Sequence, residues 1–342
     1  MRIESVNTMA ARLMNRGVLL SFIIGAIWLI SSCVPPLEKP GSDLDYYNRG
    51  LARMQTKDWE GAIHDINKAI AIRPDYYRFY FGRGRARLGQ EDWMGAIRDF
   101  TEVINRNPRL IYGPLLSSDI ELTYYFRGYA RRRIGDLPGA EKDLTTAIQM
   151  KPGFAPAYTE QGWARMGQGD LTGAIDNATK ALEIEPRLAE AYYLRALSRG
   201  KQGNHSRALE DLNKALEINP RFVLAYLARA TARSQTGDRA GALADLNKAL
   251  ESDPKAIPLA HVYEFRSHAR GMLGDHAGAI EDASKAIEID PHLATAYENR
   301  GIARMKLGDI EGARMDLEKA LEYATDPRRK AHVKKILEKV PK

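Results

Sequence analysis

From residue 43 onward the apolar positions recur at helical spacing, in blocks that come in pairs. In one block Ala242, Leu243, Leu246, Ala249 and Leu250 fall on a single stripe at the 3.6-residue period. Gly-Asp dipeptides such as Gly237-Asp238, Gly274-Asp275 and Gly308-Asp309 separate the two blocks of a pair. Glycine there predicts a turn with positive φ. A proline follows each second block, where it cannot continue one helix but can begin the next. Pro74 and Pro108 stand 34 residues apart, and Pro152, Pro186, Pro220 and Pro254 follow one another at the same spacing. The step from Pro108 to Pro152 is 44 and that from Pro254 to Pro291 is 37, insertions of ten and three residues. The pattern predicts eight helical hairpins over 43–325.

Small residues mark where the paired helices must approach. Gly50, Gly84, Gly128, Gly162, Ala196, Ala230, Ser267 and Gly301 occupy one position of the first helix. Ala62, Ala96, Ala140, Ala174, Ala208, Ala242, Ala279 and Ala313 occupy one position of the second. An isolated hairpin of this size cannot bury its apolar face, so neighbours must stack. After the eighth, Asp326-Pro327 opens a basic helix expected to run through Lys342. Val333, Ile336, Leu337 and Val340 share one of its faces, as a terminal cap requires; a helix lying on a membrane surface is the alternative. The insertion, Leu110 to about Asp119, carries Ile111, Tyr112, Leu115 and Leu116. It is expected to form a loop that docks into a groove or meets a partner.

The first 42 residues differ in kind. Arg2, Arg12 and Arg16 precede a fourteen-residue apolar run, Gly17 to Ile30. At about 1.5 Å per residue that run reaches roughly 21 Å, short of a ~30 Å hydrocarbon core. A basic start, a short apolar run and then Ser31-Ser32 describe a secretory signal peptide over 1–32. Ile30-Ser31-Ser32-Cys33 resembles the bacterial lipobox, although leucine is usual where Ile30 stands. Cys33, the one cysteine of the chain, would then be lipidated. Residues 34–42, with three prolines, read as a stiff tether. The alternative is an uncleaved anchor helix. Val34 is not the aspartate that resembles an inner-membrane retention signal, so the outer membrane is expected where the source has one.

The recurring form Ala-Tyr-x-x-Arg-Gly-x-Ala-Arg, then Gly-Asp-x-x-Gly-Ala-Ile, then Lys-Ala-Leu-Glu-Ile-x-Pro resembles the tetratricopeptide family across 43–325. That resemblance implies an all-α, right-handed superhelical solenoid of eight hairpins plus the C-terminal capping helix. It also implies a protein or peptide partner held on an inner surface, at positions one and five after the signature aromatic. Here those are Tyr47 and Leu51, Phe81 and Arg85, Tyr125 and Tyr129, Thr159 and Trp163, Tyr193 and Leu197, Leu227 and Thr231, Glu264 and His268, Glu298 and Ile302. The first six pairs are largely apolar and suit hydrophobic anchors, while the last two pairs are more polar. Family members that grip acidic C-termini use lysine and asparagine at such positions; both are missing here. The alternative is that these side chains fill the inside of a tight superhelix.

Arginine departs from the family pattern, with two on each first helix: Arg49/Arg53, Arg83/Arg87, Arg127/Arg131, Arg195/Arg199, Arg229/Arg233, Arg266/Arg270 and Arg300/Arg304. The fourth hairpin has Gln161 with Arg165. The second helix carries Asp65, Asp99, Asp143, Asp211, Asp245, Asp282 and Asp316, and the fourth hairpin has Asn177. The two exceptions coincide. That favours an internal arginine–aspartate ladder, closed in the fourth hairpin by a neutral hydrogen bond, over a phosphate-binding stripe. The formal charge of +7 falls to +5 without the first 32 residues, which is mild. No G-x-S-x-G, H-E-x-x-H, P-loop or dinucleotide fingerprint is present. The repeats also leave no separate domain for an active site, so neither enzyme activity nor a cofactor is expected. His261, Glu264 and His268 share a helix face but read better as groove-wall residues than as a metal site. The chain is therefore expected to be a lipid-tethered envelope scaffold that binds protein, not nucleic acid or metal; a lipid or glycan carrier is the alternative.

Overall fold

Two backbone devices, repeated, turn the chain back on itself. The first is the left-handed residue that ends each first helix: Gly135, Gly169, Gly203, Gly237, Gly274 and Gly308 have φ between +82° and +88°. The first two hairpins manage the same turn with Lys57 and Glu91, each at φ +62°. A side chain at that φ costs about 1–2 kcal/mol. Lys57→Gly is therefore expected to raise stability by about 1 kcal/mol in a urea melt; a variant that melts below the parent would contradict this. The second device is the next residue, Asp or Asn, whose side chain caps the second helix. Asp275 Oδ1 accepts from the Gly278 amide at 2.9 Å, and Asp309 from Gly312 at 2.9 Å.

The computed structural model describes residues 41–106, 118–252 and 259–341, and within them every regular element is helical. The expected signal peptide, Cys33 and most of the expected insertion lie outside the described residues. Contacts separate two compact units, one ending at Ser198 and one beginning at Arg199. The first unit holds α1 (Asp43–Gln55), α2 (Trp59–Ile72), α3 (Tyr77–Gly89), α4 (Trp93–Asn105), α5 (Ser118–Arg133), α6 (Leu137–Met150), α7 (Ala155–Gly167), α8 (Leu171–Ile184) and most of α9 (Ala189–Lys201). The second holds α10 (His205–Ile218), α11 (Val223–Thr236), α12 (Arg239–Ser252), α13 (Leu259–Met272), α14 (His276–Ile289), α15 (Ala294–Lys306), α16 (Ile310–Tyr323) and α17 (Pro327–Leu337). In each unit a helix packs on the one before it and the one after it, as the hairpin reading requires. Helix α5 begins at Ser118, so the end of the expected insertion is already helical.

The small residues sit at the helix crossings. A Cβ on Gly128 would stand 2.8 Å from Leu144 Cγ and 3.2 Å from the Ala140 carbonyl, and the second-helix alanines are buried. At the chain's end Val333 and Val340 are buried against Leu317 and Ala320, with Ile336 and Leu337 beside them. The cap is shorter than expected. Helix α17 stops at Leu337, and i→i−3 bonds from the Lys339 and Val340 amides tighten the next turn, which brings Val340 onto the core.

Candidate interaction surface

The polar architecture of each hairpin centres on its aspartate. Nε and Nη2 of the first arginine donate to the two carboxylate oxygens at 2.6–3.0 Å in the pairs Arg49–Asp65, Arg83–Asp99, Arg127–Asp143, Arg229–Asp245, Arg266–Asp282 and Arg300–Asp316. In the fourth hairpin Asn177 Nδ2 donates to Gln161 Oε1 at 2.8 Å, the neutral substitute expected from the joint exception. The ladder is internal, so these guanidinium groups are committed to carboxylates rather than presented as a stripe. At Arg266 the hydrogen bond to Asp282 outweighs burial and raises the guanidinium pKa. At Asp99 burial outweighs both arginines and pushes the carboxyl up.

Four further contacts were not legible in the sequence. The second arginine also reaches the aspartate, as in Arg87–Asp99 at 2.8 Å, Arg233–Asp245 at 2.9 Å and Arg304–Asp316 at 2.8 Å. It also donates to the carbonyl of the glycine three residues past the cap, at 3.0 Å for Arg233 and Gly241. The first arginine extends Nη1 to a polar side chain of the preceding hairpin: Asn67 from Arg83, Thr101 from Arg127, Asn213 from Arg229, Asn247 from Arg266 and Ser284 from Arg300, at 2.7–3.2 Å. Finally, the signature tyrosine lies against that guanidinium, with Arg229 5.5 Å from the Tyr226 ring centre and Arg300 5.5 Å from Tyr297. In these five hairpins the rung thus binds the hairpin together and to its predecessor.

The expected inner row divides by exposure. Phe81, Tyr125, Tyr129, Trp163, Tyr193, Leu197 and Leu227 are buried, while Tyr47, Leu51 and Arg85 remain partly exposed. Aromatic packing accounts for part of this: Phe81 meets Phe126 at 6.0 Å, Tyr125 meets Phe154 at 4.9 Å, Trp163 meets Tyr193 at 5.9 Å. Charged groups absent from the expected set gather beside Tyr125. Arg132 donates to Glu160 at 2.8 Å, and Glu190 lies close enough to act with both on the Tyr125 hydroxyl. Burial pushes the Glu190 carboxyl up, and Glu185 and Glu160 add to that. These residues come from α5, α7 and α9: Arg132 and Glu190 lie about one turn from Tyr129 and Tyr193, and Glu160 directly follows Thr159.

At the C-terminal end Glu298 is not part of an exposed polar lining. It is wholly buried, because α17 lies over it: Arg329 Nη1 donates to it at 2.8 Å and His332 Nε2 stands 3.5 Å away. Glu264 accepts from Asn299 Nδ2 at 3.2 Å, and burial lowers the His261 pKa. Among the described residues no group of three ligands is arranged to hold a metal, and no helix is long and apolar enough to cross a membrane.

Similar proteins fit this geometry. Four tetratricopeptide repeat profiles match residues 44–76, 125–189, 189–222, 223–255 and 294–327, more than half of the chain. No curated protein matches it in sequence. Among solved structures, a tetratricopeptide repeat protein from Parabacteroides merdae ATCC 43184 aligns with TM-score 0.52 and 22% identity, over 77% of this chain and 97% of its own. The Cut9–Hcn1 hetero-tetramer of the APC/C aligns with TM-score 0.54 and 14% identity, over 94% of this chain and 81% of its own. YrrB, a protein with an unusual peptide-binding site, aligns with TM-score 0.50 and 22% identity, over 56% and 97%. With its profile matches, its helix order and its hairpin packing in agreement, the chain belongs to the tetratricopeptide repeat family.

Proposed function

We propose that this chain is a lipid-tethered scaffold of the bacterial cell envelope that holds a protein or peptide partner on its repeats. The observation that carries the binding half is the cluster of Tyr125, Tyr129, Arg132, Glu160 and Glu190, supplied by three successive first helices. Buried, rigid Tyr125 and Tyr129 hold partly exposed charges of both signs in place beside them, which suits a partner with polar or charged groups. YrrB, with a similar fold, has a peptide-binding site. The tether half rests on Ile30-Ser31-Ser32-Cys33 behind a short apolar run. Each buried methylene of an acyl chain contributes about 0.8 kcal/mol, so acylation would dominate attachment.

Cys33→Ser is expected to abolish palmitate incorporation and to release the chain from envelopes or leave it unprocessed. Label that survives the substitution would sink the tether. For binding, native envelopes are expected to yield a partner that co-purifies with the parent and is lost with Glu190→Arg, with helicity unchanged. Equal recovery by both proteins removes this cluster from the interface. A lipid or glycan in place of a protein, seen by mass spectrometry, favours the carrier.

A further inference from the structure

The positive charge of this chain is concentrated at its C-terminal end. Residues 327–342 hold seven basic side chains against Glu338, six of the formal +7. In the repeats, by contrast, acids balance the basic residues, and five of the lysines pair with a glutamate on their own helix. Lys180 pairs with Glu183, Lys214 with Glu217, Lys248 with Glu251, Lys285 with Glu281 and Lys319 with Glu322. On the cap, Lys330, Lys334, Lys335 and Lys339 are exposed and none pairs with a carboxylate among the described residues. Their orientation follows from helix geometry. With Val333, Ile336 and Leu337 facing the core, Lys334 and Lys335 fall on the outward arc on either side of the exposed Ala331, and Lys330 lies at its edge, next to Leu337. The result is a face on which these lysines outnumber the one carboxylate beside Ala331, the exposed Glu338.

We propose that this outward face of α17 docks on anionic phospholipid headgroups and serves as a second, electrostatic contact with the membrane. The proposal rests on the tethered reading above, which places the chain beside a bilayer. One acyl signal combined with a polybasic patch is a known physical route to stable attachment. Insertion is not involved, because the apolar face of α17 is already buried against α16. The contact is therefore one of charge. It weakens with salt on the scale of the Debye length.

The test uses the full chain and vesicles of phosphatidylcholine alone or with phosphatidylglycerol at about three to one. The leader and any acyl chain are common to parent and variant, so the comparison isolates the cap. Each lysine near such a surface is worth about a fivefold change in partitioning. Replacing Lys330, Lys334, Lys335 and Lys339 with Gln should reduce binding to the anionic vesicles by roughly several hundredfold. Binding to neutral vesicles and the thermal melt should not change, since all four side chains are exposed. Equal partitioning of parent and variant on anionic vesicles would overturn the proposal. So would tight, lysine-dependent retention on duplex DNA without vesicle binding, which would assign the face to nucleic acid. Acylation at Cys33 is read separately by palmitate label, so failure of the tether and failure of the patch are told apart.

Discussion

Asp245→Ala is expected to lower stability by about 2–4 kcal/mol, read as a shifted midpoint in urea. Removing one partner of a buried ion pair costs about 3–5 kcal/mol. The aspartate is 2% exposed, whereas the side chains of Arg229 and Arg233 keep 17% and 25%, so residual water offsets part of that cost. Two guanidinium groups lose a carboxylate, not one, although Arg229 keeps Asn213 and Arg233 keeps Asp238 and the Gly241 carbonyl. The fourth hairpin supplies the control: Gln161 and Asn177 close the same rung without charge, and Arg165 keeps a 3.2 Å bond to Asn177. Arg229→Gln with Asp245→Asn should therefore cost about 1 kcal/mol or less, near the net worth of one hydrogen bond. Asp245→Ala melting with the parent, or the paired variant melting below it, would show that the rung does not hold the hairpin. Tighter DNA binding by Asp245→Ala would instead support a phosphate stripe.

What the sequence disclosed of this ladder, and what it hid, follows from where the repeats differ. The first arginine and the aspartate change together in the fourth hairpin, so their contact is legible from one joint exception. The second arginine is present in all eight hairpins, Arg165 included, and a residue that never varies leaves no covariation to read. The hairpins themselves are legible because close approach is a strict demand: a Cβ on Gly128 meets Leu144, and every repeat answers with a small residue or a close equivalent. The inner row is less legible. Whether Tyr193 or Leu227 faces solvent depends on how neighbouring hairpins are spaced, which no single repeat encodes. Arg132 and Glu190 belong to the same difficulty. They lie on the right helices, but only the packing of α5, α7 and α9 brings them to Tyr125. The leader and Cys33 carry a purely sequential signal, and their tether stays a proposal.

Glu298 shows the same limit at long range, and it sets the second large effect. It occupies a position that is aromatic or aliphatic in five of the seven earlier repeats, yet its guanidinium partner lies 31 positions later, on the cap. Arg329→Leu should cost about 3 kcal/mol, since it leaves a carboxylate with 1% of its side chain exposed and without its 2.8 Å guanidinium donor. The loss should be local at first. In a stack of hairpins each element is held mainly by its neighbours, so α17 and then α15–α16 loosen before the rest. Faster trypsin cleavage at Lys330 and Lys334, with loss of amide protection confined to the last hairpin, is the expected record. Glu298→Met together with Arg329→Leu removes both charges and keeps apolar volume under the cap. Such replacements are often neutral or stabilising, so the double variant should recover most of the protection. If Arg329→Leu resists trypsin as the parent does, the ion pair is not what holds the cap in place. If the double variant is looser than the single one, Glu298 has a role that its charge alone does not explain.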